Sequence, residues 1–292
     1  MNYFKIADLN IAIDFVDSTV NSIGLIPSTE PFRIEKPEGD MLFQLTVDDR
    51  VKPVKEELEK IGSFDTGNGD IIVDTLTNGG YQYIIKDINE YPCCLLITDE
   101  QFKNCKCALN GNTANRRFGL NNALMLIFAF ASSYKDTLLI HASLVRNQGY
   151  GYAFIAKSGT GKSTHTGLWM KYIEGCDLMN DDNPIIRFID EKPWIYGSPW
   201  SGKTPCYRNV KAPLGAITRI DRAKNNSIEL LGPIEAFASI LPSCSHMKWD
   251  HNIHNKICDT ITRVIETTNI YTLHCLPNEE AARICHKTIS KK

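Results

Sequence analysis

One segment of the sequence has the residue types and spacing of a phosphate-binding loop. Residues 156–163 read AKSGTGKS and differ from the GxxxxGK[ST] pattern only at Ala156, where the pattern has glycine. Gly159 and Gly161 allow the backbone to turn so that successive N–H groups point at an anion, and the helix that follows adds the positive end of its dipole. The sequence therefore predicts a site for nucleotide phosphates, with backbone strain at Ala156 if that position requires a positive φ.

The polar residues of this loop are suited to holding a nucleotide with its metal. Lys162 supplies a mobile cation for the β- and γ-phosphates, and the Ser163 hydroxyl can ligate Mg²⁺. From average residue usage, a match this tolerant arises by chance in on the order of one per cent of chains of this length. An apolar strand before the loop and a helix with one apolar face after it argue against chance. The predicted nucleotide-binding residues are Ser158, Gly159, Thr160, Gly161, Lys162, Ser163 and Thr164.

Two adjacent carboxylates follow the loop at a distance that allows the two features to meet. Asp181 lies 19 residues after Lys162, which leaves room for one helix and a return to a neighbouring strand. On an extended chain Asp181 and Asp182 point in different directions, so one can face a metal ion and the other an acceptor hydroxyl. The alternative is a solvated turn, since Asp-Asp-Asn-Pro is also good turn chemistry.

The order of these motifs resembles the C-terminal catalytic domain of HPr kinase/phosphorylase, whose core is related to ATP-dependent phosphoenolpyruvate carboxykinase. Three features carry the resemblance: Ile140-His141 before the loop, the loop itself, and residues 180–183 (NDDN) after it. The resemblance covers about residues 115–292 and is clearest over 138–190. It implies an α/β nucleotide-binding core of the HPr-kinase-like kind that uses ATP and Mg²⁺.

The resemblance also implies a role for each site residue. His141 would lie near the transferred phosphoryl group, Lys162 would bind phosphates, and Ser163 with Asp182 would hold Mg²⁺. Asp181 would be the general base that takes the proton from an acceptor serine, a role a carboxylate can perform. The residues alone leave open whether the two aspartates exchange these roles, and whether His141 is instead a histidine satisfied in the core.

The sequence departs from the family pattern in several places. Thr164 followed by His165 stands where the family has Glu after the loop serine. The later family segment tied to phosphorolysis is not recognisable, so phosphatase or phosphorolytic activity is not carried over from the family. The N-terminal half is unlike that of HPr kinases, so HPr is not the expected substrate, and the chain is too short for the full carboxykinase.

The leading expectation is a kinase that transfers the γ-phosphoryl group of ATP to a hydroxyl, with serine of a protein or peptide as acceptor. Two alternatives remain: a kinase for a small molecule such as a free amino acid or sugar, and a non-catalytic nucleotide sensor. The sequence does not choose between adenine and guanine. The family resemblance implies self-association of the chain.

Further polar residues are weaker candidates. Lys203, in the Gly/Ser/Pro-rich segment 196–204, can balance charge in the transition state, or it can lie on an ordinary surface loop. Arginines 208, 219 and 222 are further cations, although surface positions are the commoner explanation. His251, His254 and Cys258 fall on one helix face, but their spacing matches no known closed metal site.

The elements that position these residues divide the sequence near residue 112. Residues 1–112 are predicted to form a smaller β-rich accessory domain, a candidate for recruiting the acceptor, with strands at 40–47, 70–74 and 81–85 and one short helix at 51–61. Residues 113–292 are predicted to form the catalytic domain, opening with a helix over 115–132. Strands are expected at 137–141 and 150–155, around the motifs described above.

Composition excludes several function classes. The chain has 292 residues, 43% of them hydrophobic, and a formal net charge of −2, which disfavours nucleic-acid binding. No segment has the length of a membrane span, and the first residues lack the pattern of a signal peptide. We therefore expect no membrane partner and a cytoplasmic location, with the ten cysteines reduced.

Overall fold

The computed structural model describes residues 1–17, 19–55, 58–66 and 69–291. The fold is mixed α/β, with two large sheets and five α-helices among these residues. The chain forms two compact units, Met1–Ser132 and Ser133–Lys292. Neither contains a described helix that is long and apolar enough to cross a membrane.

The first unit contains one sheet of nine described strands. The strands are β1 Asn2–Ile6, β2 Leu9–Phe15, β3 Arg33–Ile34, β4 Met41–Val47, β5 Leu58–Asp65, β6 Asp70–Leu76, β7 Tyr81–Lys86, β8 Pro92–Thr98 and β9 Asn104–Leu109. Their order across the sheet is β3-β1-β2-β4-β9-β8-β7-β6-β5, with parallel pairing among these strands only for β2 with β4 and β4 with β9. Short 3₁₀ helices at Ile23–Leu25 and Pro27–Phe32 connect β2 to β3.

The strands predicted at 40–47, 70–74 and 81–85 are confirmed as β4, β6 and β7, whereas the helix predicted at 51–61 is wrong. Residues 51–55 have no regular structure, residues 56–57 lie outside the described residues, and β5 begins at Leu58. The pairing of β5 with β6 shifts register between Lys60 and Gly62. This irregularity interrupts the alternation of side chains between the two faces of the strand. Apolar residues three apart, such as Leu58 and Ile61, therefore occur within a strand, although this spacing is typical of a helix.

The long helix α1, Thr113–Ser133, confirms the helix predicted over 115–132 but belongs to the first unit. Gly119 lies so close to β8 that an added Cβ would be 2.8 Å from the Cys93 carbonyl oxygen. Near the other end of the helix, the rings of Phe130 and Phe102 lie 5.4 Å apart. The units therefore divide between residues 132 and 133, not near 112, because the change from strand to helix periodicity marks a new element and not a new domain.

The second unit also contains a sheet of nine described strands. The strands are β10 Thr137–Leu139, β11 Ala142–Asn147, β12 Tyr150–Ile155, β13 Asp177–Asn180, β14 Ile185–Ile189, β15 Lys192–Tyr196, β16 Lys211–Arg222, β17 Ser227–Leu230 and β18 Ile270–Cys275. The helices are α2 Lys162–Tyr172, α3 Pro233–Ile240, α4 His251–Thr267 and α5 Glu279–Ile289, and Leu241–Ser243 forms a 3₁₀ turn. The strand order is β10-β14-β15-β16-β12-β11-β13, and β18 joins β16 and β17.

Five described strands of this sheet point in the same direction, including β14, which is antiparallel to β15 as β15 is to β16. β16 is parallel to both β12 and β18. β11 is antiparallel to both β12 and β13, so β13 runs parallel to β12. The carboxyl ends of β12, β13, β16 and β18, together with the beginning of β11, therefore lie along one edge of the sheet, where ligands commonly bind in α/β proteins.

Helices α2 and α5 cover one face of this parallel region. Trp169 of α2 is fully buried there, with its ring 5.4 Å from those of Tyr152 and Phe154 and 5.3 Å from that of His286. Its indole N–H donates to Nε2 of His165 at 3.0 Å. This packing fixes the helix that follows the phosphate-binding loop.

Replacement of Trp169 by alanine should destabilise the protein by about 3–5 kcal/mol, because it removes a large buried ring and leaves a cavity. The neighbouring change Met170→Ala, at an exposed position of the same helix, should cost less than about 0.5 kcal/mol. Urea denaturation followed by circular dichroism measures both. Equal losses in the two variants would contradict the proposed packing.

Candidate functional site

The predicted phosphate-binding loop connects β12 to α2 at the common edge of the sheet. Gly159 has φ +76° and Gly161 has φ +129°, a region that side-chain-bearing residues rarely adopt. Ala156 is not among the described residues with positive φ. Alanine in place of the first glycine of the pattern therefore adds no backbone strain.

The first turn of α2 presents backbone donors to this edge. The first helical hydrogen bond runs from the N–H of His165 to the Gly161 carbonyl. The N–H groups of residues 162–164 come before this bond, so the helix itself offers them no acceptor. Ser163 and Thr164 are exposed. Together with the positive end of the helix dipole, this turn is suited to an anion.

Lys162 is buried at the base of the loop. Its ammonium donates to the Ala156 carbonyl at 3.2 Å. Burial lowers the pKa of Lys162, while the charges of Asp182 and Asp181 act in the opposite direction. The lysine therefore lies within electrostatic reach of both predicted acidic residues.

A buried asparagine shapes the turn that holds the acidic pair. The side-chain oxygen of Asn180 accepts from the N–H groups of Asp182 and Asn183, both at 3.0 Å. Its amide nitrogen donates to the carbonyl oxygens of Ser198 and Trp200. The turn predicted as an alternative is therefore present, and the hydrogen bonds of Asn180 hold it at the sheet edge beside the loop.

The two aspartates have different environments. Asp181 is 5% exposed; its Oδ1 accepts from Ser143 at 2.6 Å, and its buried Oδ2 has no hydrogen-bond partner in the described chain. Asp182 has 34% of its side chain exposed and accepts from Asn183 at 2.7 Å. The second oxygen of Asp182 lies 3.3 Å from Nε2 of His141, whose side chain is 41% exposed.

On the other side of the loop lies a cleft of about 450 Å³. Its walls come from the loop, the first turns of α2 and the segments that follow β16 and β18. The side chains that line it include Leu168, Ile220, Arg222, Cys275, Leu276 and Pro277. Because β12 lies between β16 and β11, the cleft and the acidic pair flank the loop on opposite sides.

Arg222 joins the end of β16 to the loop. Its guanidinium donates to the carbonyl oxygens of Thr160 at 3.0 Å and Gly159 at 2.5 Å. The sequence identified Arg222 only as one of three cation candidates. The other two have partners elsewhere: Arg208 pairs with Asp177, and Arg219 pairs with Asp221.

Lys203 is exposed in the segment that follows Trp200. The neighbouring Gly202 lies against the acidic turn, since an added Cβ would be 3.0 Å from the Asp181 carbonyl oxygen and 3.4 Å from Cβ of Asp182. The segment therefore adjoins the acidic pair, while the role of the Lys203 amine remains a prediction.

The histidine and cysteine cluster on α4 contains no arrangement suited to a metal. Nε2 of His254 lies 3.6 Å from Sγ of Cys258, whereas His251 is exposed. No group of three or more metal-ligating side chains occurs anywhere in the described chain.

Three polar residues beside the loop have no motif that would reveal them in the sequence. His165 is 2% exposed, and burial lowers its pKa to about 4. Ser143 and Thr166 are also buried and connect α2 to Asp181. Their only sequence signal is that polar side chains occur where the surrounding pattern is apolar.

Comparison with known proteins gives limited information. No protein-family model matches the sequence, and no curated protein matches it. Among solved structures, the chain is similar to the HPr(Ser) kinase/phosphatase from Coxiella burnetii, with a TM-score of 0.31 and 9% identity. That similarity covers 51% of this chain and 91% of the other. Such a score does not establish a shared fold.

Burial of neutral His165 should make stability depend on pH. Its pKa is lowered from about 6.5 to about 4 on folding, so the unfolded state binds more protons in this interval. The free energy of unfolding should therefore rise as the pH increases from about 4 to 6.5. His165→Gln should remove up to about 3 kcal/mol of this rise.

Chemical denaturation at a series of pH values measures the effect. The same substitution at exposed His251 controls for the loss of a histidine elsewhere. An unchanged pH dependence in His165→Gln would show that His165 titrates alike in the folded and unfolded states.

Proposed function

We propose that the second unit is an ATP- and Mg²⁺-dependent phosphotransferase with an HPr-kinase-like core, acting on a hydroxyl acceptor. One observation carries the proposal. The glycine-rich loop, Lys162, the two aspartates and His141 meet at one edge of the sheet, although they come from different parts of the chain. A loop of donors and a cation beside acidic residues is the arrangement that phosphoryl transfer requires.

The strand order supports one orientation of the nucleotide. The phosphates would lie on the loop and the first turn of α2, with the transferred group toward Asp181 and Asp182. The nucleoside would then lie on the opposite side of the loop, in the cleft beside Leu168 and Leu276. The size and apolar walls of the cleft suit a base and its sugar.

The residues present fit Mg²⁺ in its usual mode. Mg²⁺ prefers oxygen ligands and is commonly held by one or two carboxylates together with substrate phosphates, not by an all-protein cage. Ser163 and Asp182 would hold the ion, and the unpartnered Oδ2 of buried Asp181 leaves further oxygen capacity nearby. The bound ion supplies neutralisation of the charge on the phosphates.

The chain's own residues would perform the remaining tasks. Lys162 would bind the phosphates, and Asp181 would act as general base, because its Oδ2 has no hydrogen-bond partner in the described chain. The acceptor oxygen forms a bond to the γ-phosphorus, and its proton passes to Asp181. The bond between the γ-phosphorus and the β–γ bridging oxygen breaks, and ADP leaves with the electron pair.

Exposure at the acidic side favours a protein or peptide serine as acceptor. His141 and Asp182 are both about one-third or more exposed, so a side chain presented by another molecule can approach them. His141 would then lie beside the transferred group, and exposed Lys203 would balance charge. A small-molecule acceptor remains the second candidate.

Transfer from γ-labelled ATP·Mg²⁺ into a cell lysate tests the proposal. Lys162→Ala should reduce labelling about 100-fold or more because it removes a cation that stabilises the transition state. Asp181→Asn should abolish turnover but spare ATP affinity, since the carboxylate acts on the acceptor.

ATP-dependent stabilisation separates the outcomes. At about 100 times Kd, bound ATP should add about 2.7 kcal/mol to the free energy of unfolding. Stabilisation by ATP without transfer to protein, peptide or small-molecule hydroxyls would instead support a nucleotide sensor. The absence of both would contradict the proposed nucleotide site.

The nucleoside position gives a separate prediction. Leu276→Asp, at an exposed position in the cleft wall, should weaken ATP binding about tenfold by placing a charge against the base and sugar. Inorganic tripolyphosphate, which lacks a nucleoside, should bind with similar affinity to both proteins. Calorimetric titration measures these affinities, and Ile234→Asp on α3 is the matched control. If Leu276→Asp weakened the binding of ATP and of tripolyphosphate equally, the nucleoside would not lie in this cleft.

A further inference from the structure

The tip of the phosphate-binding loop is held by a side chain from a distant part of the chain. Arg222, at the end of β16, lies 62 positions after Thr160 and 63 positions after Gly159. Its Nε donates to the Thr160 carbonyl oxygen at 3.0 Å, and its Nη2 donates to the Gly159 carbonyl oxygen at 2.5 Å. One edge of the planar guanidinium thus binds two consecutive carbonyl groups of the loop.

Few other hydrogen bonds restrain this tip in the described chain. The amide of Thr160 bonds to the Lys157 carbonyl, and the Lys162 ammonium bonds to a carbonyl at the base of the loop. Both bonds lie within the loop and the helix that follows it. Among the described residues outside that segment, only Arg222 forms a hydrogen bond with residues 157–161.

The two glycines of the tip make this restraint important. Both have positive φ, and apart from the chain neighbours nothing lies within 4 Å of the position that a Cβ would take at Gly159 or Gly161. Side-chain packing therefore does not fix the tip there. Glycine loses more conformational freedom on ordering than any other residue, so a tip without a restraint would have to be ordered when an anion binds. Ordering the tip beforehand removes that cost from binding.

We propose that Arg222 is a positioning residue of the phosphate site, which holds the loop in its anion-binding conformation before a ligand arrives. The inference rests on the proposed function only in taking this loop as the site of the nucleotide phosphates. Arg222 acts through the backbone, because Nε and Nη2 are directed at carbonyl oxygens of the chain. This role differs from that of Lys162, which would bind the phosphates themselves.

Two other roles for Arg222 make different predictions. Its side chain also lines the cleft in which the nucleoside would lie. A contact with the nucleoside would affect the binding of ATP but not that of a ligand made of phosphates alone, whereas a role in the loop affects both. A purely electrostatic attraction would be shared by Lys224, which is exposed two residues further along the chain.

Calorimetric titration of the full chain with ATP and with inorganic tripolyphosphate, each with Mg²⁺, tests the proposal. Arg222→Ala should weaken the binding of both ligands by a similar factor, about tenfold or more, because two charge-assisted hydrogen bonds to the loop are lost. Arg222→Lys keeps the charge but lacks the planar fork, so its affinities should stay closer to those of Arg222→Ala than to those of the wild type.

Lys224→Ala is the matched control. It removes an exposed positive charge from the same segment and should leave both affinities nearly unchanged, since screened surface charges interact weakly. Weaker binding of ATP with unchanged binding of tripolyphosphate would overturn the inference and assign Arg222 to the nucleoside. Full affinity in Arg222→Lys, or an equal loss in Lys224→Ala, would show that positive charge alone is responsible.

Chemical rescue distinguishes a positioning role from a general loss of stability. Guanidinium ion at millimolar concentration, well below the molar range that unfolds proteins, should restore part of the tripolyphosphate affinity of Arg222→Ala. The ion can donate to the two carbonyl groups that the side chain leaves, whereas sodium ion at the same concentration cannot. Equal effects of the two salts would contradict the role of the guanidinium fork.

Amide hydrogen exchange tests the loop without any ligand. Peptides covering residues 157–161 should exchange severalfold faster in Arg222→Ala than in the wild type, whereas peptides from α4 should be unchanged. Unchanged exchange in the loop, or equal acceleration in both regions, would overturn the inference. Faster exchange with weaker tripolyphosphate binding, in a protein that transfers no phosphoryl group, would retain the role of Arg222 and reject the proposed kinase. If the wild type bound neither ligand, both proposals would be wrong.

Discussion

The pairing of β11 with β12 on one side and β13 on the other determines where the candidate chemistry of the second unit lies. β11 runs opposite to both neighbours, so its first residue adjoins the last residues of both strands. His141, the phosphate-binding loop and the acidic pair are attached to these three strand ends. A shift of β11 by one residue would turn Ser143 away from the face on which it meets Asp181.

The local features of this site could be predicted from the sequence because each follows from a few neighbouring residues. Glycine spacing and the residue types after it indicate the loop at 156–163, and Asp181 with Asp182 indicates the acidic turn. The separation of Asp181 from Lys162 predicted a return to a neighbouring strand, whereas β11 lies between β12 and β13 and the two motifs still share one edge. These predictions depend on short-range chemistry and on one general rule of α/β sheets.

Features that combine distant segments could not be predicted in the same way. The cleft needs the ends of β16 and β18, and Ser143 meets Asp181 across 38 positions of sequence. Buried Asn180 gives no sign in the sequence that its amide connects the acidic turn to Ser198 and Trp200. The wrong helix prediction at 51–61 and the misplaced domain boundary have a similar origin. The spacing of apolar residues indicates what kind of element a segment forms, but it does not show which other elements that segment packs against.

The contact of Arg222 with the loop has a consequence for the polarity of the peptide planes there. In a trans peptide the C=O of one residue points opposite to the N–H of the next. By drawing the carbonyls of Gly159 and Thr160 toward its guanidinium, Arg222 directs the following two amide protons to the far side of the chain. The Thr160 amide bonds to the Lys157 carbonyl, which closes the turn. The Gly161 amide is left pointing away from the cation, so a single positive side chain orients two consecutive peptide dipoles of the loop.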